Sequence, residues 1–293
     1  MILLRAIILV GICWTPVLSY ATSPQQLHRI VSLSPAMTAM LGELEQTNRL
    51  VGVTRYCQLP AGLSDSVRVV GGAVDPQVES ILALKPDMVL ASSLLPENIQ
   101  KRFQALGIPV QRFRQDRLED IVEQVTWLAE HTNSWELAQS KVEHALEILK
   151  DPQSAVKGSA LLVFSDKMEL AAGGNTYPSQ VMKLAGLKNV AASIGQPWPN
   201  ISHEWLIGQD PEWILVATDR AKSEVEDYKK ELFKVWREHD IFSQLKAVRA
   251  GQIIIISDSR LIIPSMQVFS VVDLLRQEIG HHADPSKGAY ALP

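Results

Sequence analysis

Three aromatic side chains with polar handles, Tyr56, Tyr177 and Trp198, stand in segments rich in turn-forming residues. Tyr56 sits in Arg55-Tyr56-Cys57, Tyr177 follows Gly173-Gly174-Asn175-Thr176, and Trp198 is held between Pro197 and Pro199. A broad ring on a stiff loop loses little freedom when it stacks on a flat ligand, so this chemistry is binding chemistry. Polar groups in comparable settings could complete such a site: Gly72 for close backbone approach, Ser93 and Asn175 for hydrogen bonds, Asp258 and Arg260 for charged contacts. The competing uses are packing for the aromatics and a solvated loop for Asp258 and Arg260.

Other chemistries fare worse. There is no Gly-x-Ser-x-Gly elbow, no Gly-x-x-x-x-Gly-Lys phosphate loop and no Gly-x-Gly-x-x-Gly after a strand. Cys57 with His203 is the one conceivable nucleophile–base pair, and no motif supplies an oxyanion hole beside it. No enzyme activity is therefore expected. A bare divalent metal needs several converging His or acidic ligands. The histidines His28, His131, His144, His203, His239, His281 and His282 form no such set by spacing, so no metal site and no cofactor are assigned.

The amino terminus reads as a secretory signal: Arg5, an apolar run from Ala6 to Leu18, then small residues at Ser19 and Ala21. The run is shorter than the ~20 residues that span a bilayer. Lipidation at Cys13 is disfavoured because Ile12 precedes it. Cleavage after Ala21 removes one of 28 basic residues, leaving 27 against 32 acidic ones and a net charge of −5. That sign gives no support for nucleic-acid binding. Cys57 is then the only cysteine, so no internal disulfide is possible, and an inert buried thiol is its plainest role.

Positioning these residues requires an α/β scaffold. From Arg29 onward short β-branched runs alternate with helical patterns, as strands Arg29–Leu33, Leu50–Thr54, Val67–Val70, Met88–Ser92 and Pro109–Phe113 separated by helices Pro35–Leu44, Pro76–Leu84 and Pro96–Leu106. Ser34 is the expected N-cap of the first helix. The alternation stops from about Arg117 to Lys150, which reads as helix with a break near Thr132-Asn133-Ser134 and is ended by Asp151-Pro152. It resumes with strands Ala160–Phe164, Trp213–Val216 and Ile253–Ser257 and helices Ser179–Leu184, Ser202–Gly208, Ser223–Trp236 and Pro264–Gly280. The expected organisation is a signal at 1–21, an N-terminal α/β lobe at 22–116, a helical connection at 117–157 and a C-terminal α/β lobe at 158–293.

The lobes echo each other. Glu79 opens a helix ending at Pro86-Asp87 before a strand, and Glu204 opens one ending at Pro211-Glu212 before another. Proline stops each helix and an apolar run enters each sheet. Ligands of open α/β sheets bind at the carboxyl ends of strands, so two facing lobes place the residues singled out above along a cleft.

Taken together, Arg29-Ile-Val-Ser-Leu-Ser-Pro35, Val51-Gly-Val-Thr-Arg-Tyr56, the Glu79-to-Asp87 segment and Pro197-Trp-Pro199 followed by Glu204 resemble the cobalamin, siderophore and haem periplasmic binding proteins of ABC importers, the cobalamin binders most closely. The resemblance runs from about Arg29 to Gly280. It implies two Rossmann-like lobes joined by a single long rigid helix (a class III periplasmic binding protein), with the ligand between them. It implies that Tyr56, Trp198 and Asp258 line the ligand site, and that Glu79 and Glu204 pair with arginines of the importer permease. Ala73 and Ser92 stand where the cobalamin binders carry aromatics. The expectation is a periplasmic, monomeric protein delivering a corrinoid, iron–siderophore or haem-like ligand to a membrane importer, with Cys57 lining the pocket beside Tyr56. A sensor or scaffold on the same fold, or a bare-metal binder, are the alternatives.

Overall fold

The computed structural model describes residues 25–59, 66–151 and 156–283; the secretory-signal reading of residues 1–21 lies outside them. The N-terminal lobe runs β1 (Ile30–Ser32), α1 (Pro35–Glu43), β2 (Leu50–Val53), β3 (Arg68–Val69), α2 (Val78–Ala83), β4 (Met88–Ser92), α3 (Glu97–Ala105) and β5 (Val110–Phe113). Its five strands are all parallel, in the order β3-β2-β1-β4-β5. After the connecting helices α4 (Leu118–Thr132) and α5 (Trp135–Lys150), the C-terminal lobe runs β6 (Gly158–Val163), α6 (Tyr177–Leu184), β7 (Leu187–Asn189), α7 (His203–Gln209), β8 (Trp213–Ala217), α8 (Val225–Glu238), α9 (Lys246–Ala250), β9 (Ile253–Ile256) and α10 (Gln267–Ala283). Its sheet is also parallel, in the order β7-β6-β8-β9.

Parallel strands are covered by helices on both faces, which is why β8 and β9 are wholly apolar and wholly buried rather than alternating. The two orders superimpose as one plan, β1 matching β6, β4 matching β8, β2 matching β7 and β5 matching β9. In that plan α2–β4 and α7–β8 occupy equivalent places. Glu79 and Glu204 are therefore equivalent residues, each exposed in the first turn of its helix.

The connection is a helical hairpin bent at Asn133, whose left-handed backbone (φ 53°) closes α4. The lobe-to-lobe crossing is made by α5. Its N-cap, Ser134, is hydrogen-bonded to Thr132, whose carbonyl accepts from Arg49 of the N-terminal lobe. It ends at Asp151, whose carbonyl accepts from Arg276 of α10. At about 1.5 Å per residue, its 16 residues cover roughly 24 Å. α4 lies against it, and its first residue, Leu118, donates its backbone N–H to Gln180 of α6, a second strut between the lobes.

Local chemistry changes one expected cap and moves one expected boundary. Ser34 precedes α1 but makes no capping bond; its hydroxyl instead accepts from Gln115 (3.2 Å). Thr176 caps α6 by accepting from the Ser179 amide, so that helix starts at Tyr177, two residues earlier than expected.

Candidate ligand-binding cleft

The strand ends of both sheets face one another across a cleft made of three adjoining cavities. The central one, about 500 Å³, has a polar N-terminal wall of Ser92, Ser93, Gln115 and Asp116, with Leu94, and an apolar C-terminal wall of Phe164, Leu170, Tyr177, Trp198, Leu261, Ile262 and Pro264. A second, about 480 Å³, shares Asp116 and Trp198 and adds Arg114, Arg117, Asn175 and Gln180. A third, about 360 Å³, shares Gln115, Ile262 and Pro264 and reaches Tyr56, Gln58, Asp219 and Ser259. Each is of a size found in small-molecule sites. Because they share walls, the cleft has room for a ligand larger than any one of them holds.

Trp198 is the centre of the apolar wall, and it is 45% exposed. Its ring meets Phe164 edge-on (5.5 Å between centroids, 71°) and Tyr177 likewise (6.4 Å, 66°). Its loop is seated by glycine: a Cβ at Gly173 would lie 1.9 Å from the Gln196 carbonyl oxygen, and the Gly173 amide donates to Pro197 (2.8 Å). Tyr177 contributes only its ring. Its hydroxyl is buried and donates to the Leu261 carbonyl (2.8 Å), and burial pushes the phenol's pKa well up. Tyr56 is 63% exposed at the far end of the cleft, under the Arg55 guanidinium (5.6 Å).

In the second cavity charge is largely internally matched. Arg114 lies 3.6 Å from Asp116, and Arg117 lies 3.2 Å from Glu119. Partial burial alone would raise the pKa of Glu119, but hydrogen bonds from its own amide and from Gln180, with Arg117 beside it, hold it below the usual range.

Among the residues expected from the sequence, Tyr56, Ser93, Asn175, Tyr177 and Trp198 are brought together along this cleft. Four others are placed elsewhere. Cys57 faces inward, its Sγ 3.2 Å from the hydroxyls of Thr38 and Thr54 and packed on the main core, so it does not line these cavities beside Tyr56. Gly72 allows a tight turn: a Cβ there would meet the Asp75 carboxylate at 2.1 Å. Asp258 and Arg260 knit their own loop. Asp258 accepts from the Lys222 amide (3.1 Å) and the Ser257 hydroxyl (2.8 Å), and Arg260 donates to Ser257. Their neighbour Ser259 reaches the cleft instead, on a backbone where both Asp258 and Ser259 are left-handed (φ 56° each), an uncommon and costly conformation for non-glycine residues.

Arg114-Gln-Asp-Arg117 also lines the cleft; no motif marks it, yet it directly follows a strand, where the strand-end rule points. Phe164 was absorbed into the preceding strand, which ends at Val163. His203 packs against His239 and Phe242 of the C-terminal lobe, whereas Cys57 is bonded to Thr38 and Thr54 of the N-terminal lobe, so the conceivable catalytic pair does not assemble. No three His, Cys, Asp or Glu side chains converge as a metal site among the described residues, and no helix among them is long and apolar enough to cross a membrane.

The outer surface is as informative as the cleft. Glu79 is ion-paired with Arg102 of α3. Glu204 is exposed, and hydrogen bonds from its own amide and the Ser202 hydroxyl lower its pKa, so it is ionised at neutral pH.

This architecture, two parallel α/β lobes over a shared cleft, is that of a bilobal binding protein. The periplasmic binding protein family model matches residues 30–259, and the chain belongs to that family, which is one of solute-binding proteins and not of enzymes. A vitamin B12-binding protein of Yersinia pestis (strain Pestoides F) is 29% identical over 206 residues, covering 68% of this chain and 73% of the relative. Two solved structures share the fold. The periplasmic vitamin B12 binding protein of Vibrio cholerae superimposes with a TM-score of 0.72 at 21% identity, covering 89% of this chain and 100% of that one. A periplasmic haem-binding protein from Roseiflexus sp. RS-1 does so with 0.67 at 20% identity, covering 89% and 100%.

Proposed function

We propose that this protein is exported to the periplasm, captures a large, partly planar ligand of the corrinoid, haem or iron–siderophore kind, and delivers it to an ABC importer. The observation that carries the reading is the cleft itself. Three adjoining cavities place an exposed tryptophan with two edge-on aromatic neighbours opposite a wall of hydroxyl, amide and charged groups. Such a site desolvates one face of a broad ligand while hydrogen-bonding its fringe. Corrinoids come first in the class because the curated relatives are vitamin B12-binding proteins.

Delivery would use the outer surface. Glu79 and Glu204 occupy equivalent first-turn positions on the two lobes, and two exposed carboxylates so placed suit a pair of cationic side chains on a two-fold-related permease. The test is titration of the purified protein with cyanocobalamin, haemin and ferric siderophores, followed by tryptophan fluorescence. Saturable quenching at micromolar or tighter affinity by one of them is the expected result, and none at millimolar concentration of any would overturn the reading.

A further inference from the structure

Gln115 lies at the junction of the central and third cavities, and its carboxamide is held in one orientation by a chain of hydrogen bonds that ends on an obligate acceptor. The two ends of an amide differ chemically, and only the network tells them apart. The chain starts at the Arg114 carbonyl, which accepts and cannot donate. Gln124, buried on α4, donates its Nε2 to that oxygen, so its own Oε1 is the end turned toward Gln115. That oxygen also only accepts. The Gln115 atom 3.2 Å from it must therefore be Nε2. The same Nε2 donates to the buried Ser34 hydroxyl at 3.2 Å. Both N–H bonds of Gln115 are thus in use. Its Oε1 receives no bond from a described residue, and since Gln115 lines both cavities, that oxygen is the end left for the cleft.

We infer that Gln115 presents a fixed carbonyl acceptor at the middle of the cleft, and so selects ligands offering a hydrogen-bond donor there, such as a carboxamide NH₂ or a hydroxyl, over ligands offering a carboxylate. The inference rests on reading the cleft as the ligand site. Rotating the amide to offer its NH₂ would set Gln115 Oε1 against Gln124 Oε1, acceptor against acceptor. The next residue, Asp116, also lines the cleft and adds two more acceptor oxygens. A ligand carboxylate set against the Gln115 oxygen meets lone pairs it cannot bond, whereas an amide NH₂ there meets a partner for its proton. Ser34 has a part in this that its place in the fold explains: it stands before α1 but leaves the helix uncapped, and its hydroxyl anchors Gln115.

Two measurements test the inference. The first needs no ligand. In ¹⁵N-edited NMR spectra of the full chain, the side-chain NH₂ of Gln115, assigned by its disappearance in Gln115→Leu, should exchange with water about tenfold more slowly than an exposed glutamine, and Ser34→Ala should accelerate it. Exchange as fast as at the surface in the wild type would overturn the lock. The second compares cyanocobalamin, fringed by carboxamides, with haemin, whose polar edge is two propionates. Gln115→Leu should weaken cyanocobalamin binding about tenfold and leave haemin binding unchanged or tighter. A change within twofold for cyanocobalamin, or an equal loss for both, would overturn the selection. Should Gln115→Leu fail to fold, Ser34→Ala serves, with a narrowed preference expected between the two probes and an unaltered one fatal. If neither probe binds the wild type, the ligand reading of the cleft falls, while the exchange rates still decide whether the lock exists.

Discussion

The two lobes share a strand order and differ in what they offer the ligand. Outside, they are alike: an exposed glutamate opens α2 in one and α7 in the other, each followed by proline and a central strand. Inside, they diverge. The N-terminal wall presents Ser92, Ser93, Gln115 and Asp116, the C-terminal one Phe164, Tyr177, Trp198 and Leu261. A repeated scaffold thus keeps the surface that two-fold symmetry would use. In the proposed function the cleft meets an asymmetric molecule, with an apolar wall suited to desolvation and a polar one suited to hydrogen bonding.

The outer likeness is the part most easily broken. Reversing both charges, Glu79→Lys with Glu204→Lys, should abolish ligand uptake by cells or by vesicles carrying the cognate importer, and leave affinity in the fluorescence titration unchanged. Each single reversal should reduce uptake comparably. Full transport by one single variant would mean that the lobes are equivalent in fold and unequal in docking. Glu79 starts from an ion pair with Arg102, and docking must exchange that exposed pair for a permease cation, a swap that costs little because solvent-exposed pairs contribute at most about 1 kcal/mol.

The inner contrast predicts unequal walls. Trp198→Ala should weaken binding by roughly thirtyfold, about 2 kcal/mol, because a large aromatic at the centre of a contact carries a disproportionate share of the energy. Ser93→Ala, on the polar wall, should change affinity less than about threefold. The melting temperature should hardly move in either, since both side chains are exposed in the free protein. Comparable losses at the two positions would erase the division of labour.

The scaffold was legible because it is written in local signals. Proline just before β4, β5 and β8, β-branched runs of four or five residues and the break at Asn133 all act over a few neighbours, and the pairing of Glu79 with Glu204 followed from the repeat they generate. The site was legible only in outline. Which strand-end residues face the cleft depends on loop geometry that no periodicity encodes. Asp258 and Ser259 are consecutive and both left-handed, yet Ser259 reaches the cleft and Asp258 bonds back to Lys222. Cys57 adjoins Tyr56 and faces the other way because the chain turns at Arg55-Tyr56, the Cys57 amide donating to the Thr54 carbonyl (3.2 Å). Short segments fell below the signal as well: β7 has three residues and α9 five.

Tyr177 sharpens the contrast from the side of the fold. It stands in the apolar wall, but its hydroxyl is committed to the Leu261 carbonyl, which orders the loop leading to Ile262 and Pro264. Tyr177→Phe keeps the ring and deletes that bond. It should lower stability by about 1 kcal/mol, read as a fall of roughly 2–4 °C in melting temperature, with ligand affinity altered less than by Trp198→Ala. A larger loss of affinity than of stability would mean that the hydroxyl serves the ligand after all.

The smallest effect tests how the lobes are held against each other. Glu43, the last residue of α1, accepts at Oε2 from the Met266 amide (3.2 Å), just ahead of α10 in the other lobe, while its Oε1 is buried without a hydrogen bond. Burial raises its pKa, opposed by bonds from the Ser265 hydroxyl and the Met266 and Gln267 amides and by the charge of Lys141. A carboxyl whose folded pKa exceeds its unfolded one binds its proton more readily in the folded state. Its penalty is therefore absent below the ordinary carboxylate range, grows as pH rises toward the folded pKa, and is complete above it. Glu43→Gln keeps the acceptor and removes the charge, so the variant should melt about 1–2 °C higher than wild type at neutral pH, the gap closing as the pH is lowered. A variant that melts lower at neutral pH would reverse the balance. The ionised carboxylate would then be gaining more from the amino end of α10 than it loses to burial, and the lobes would be pinned by charge rather than by packing.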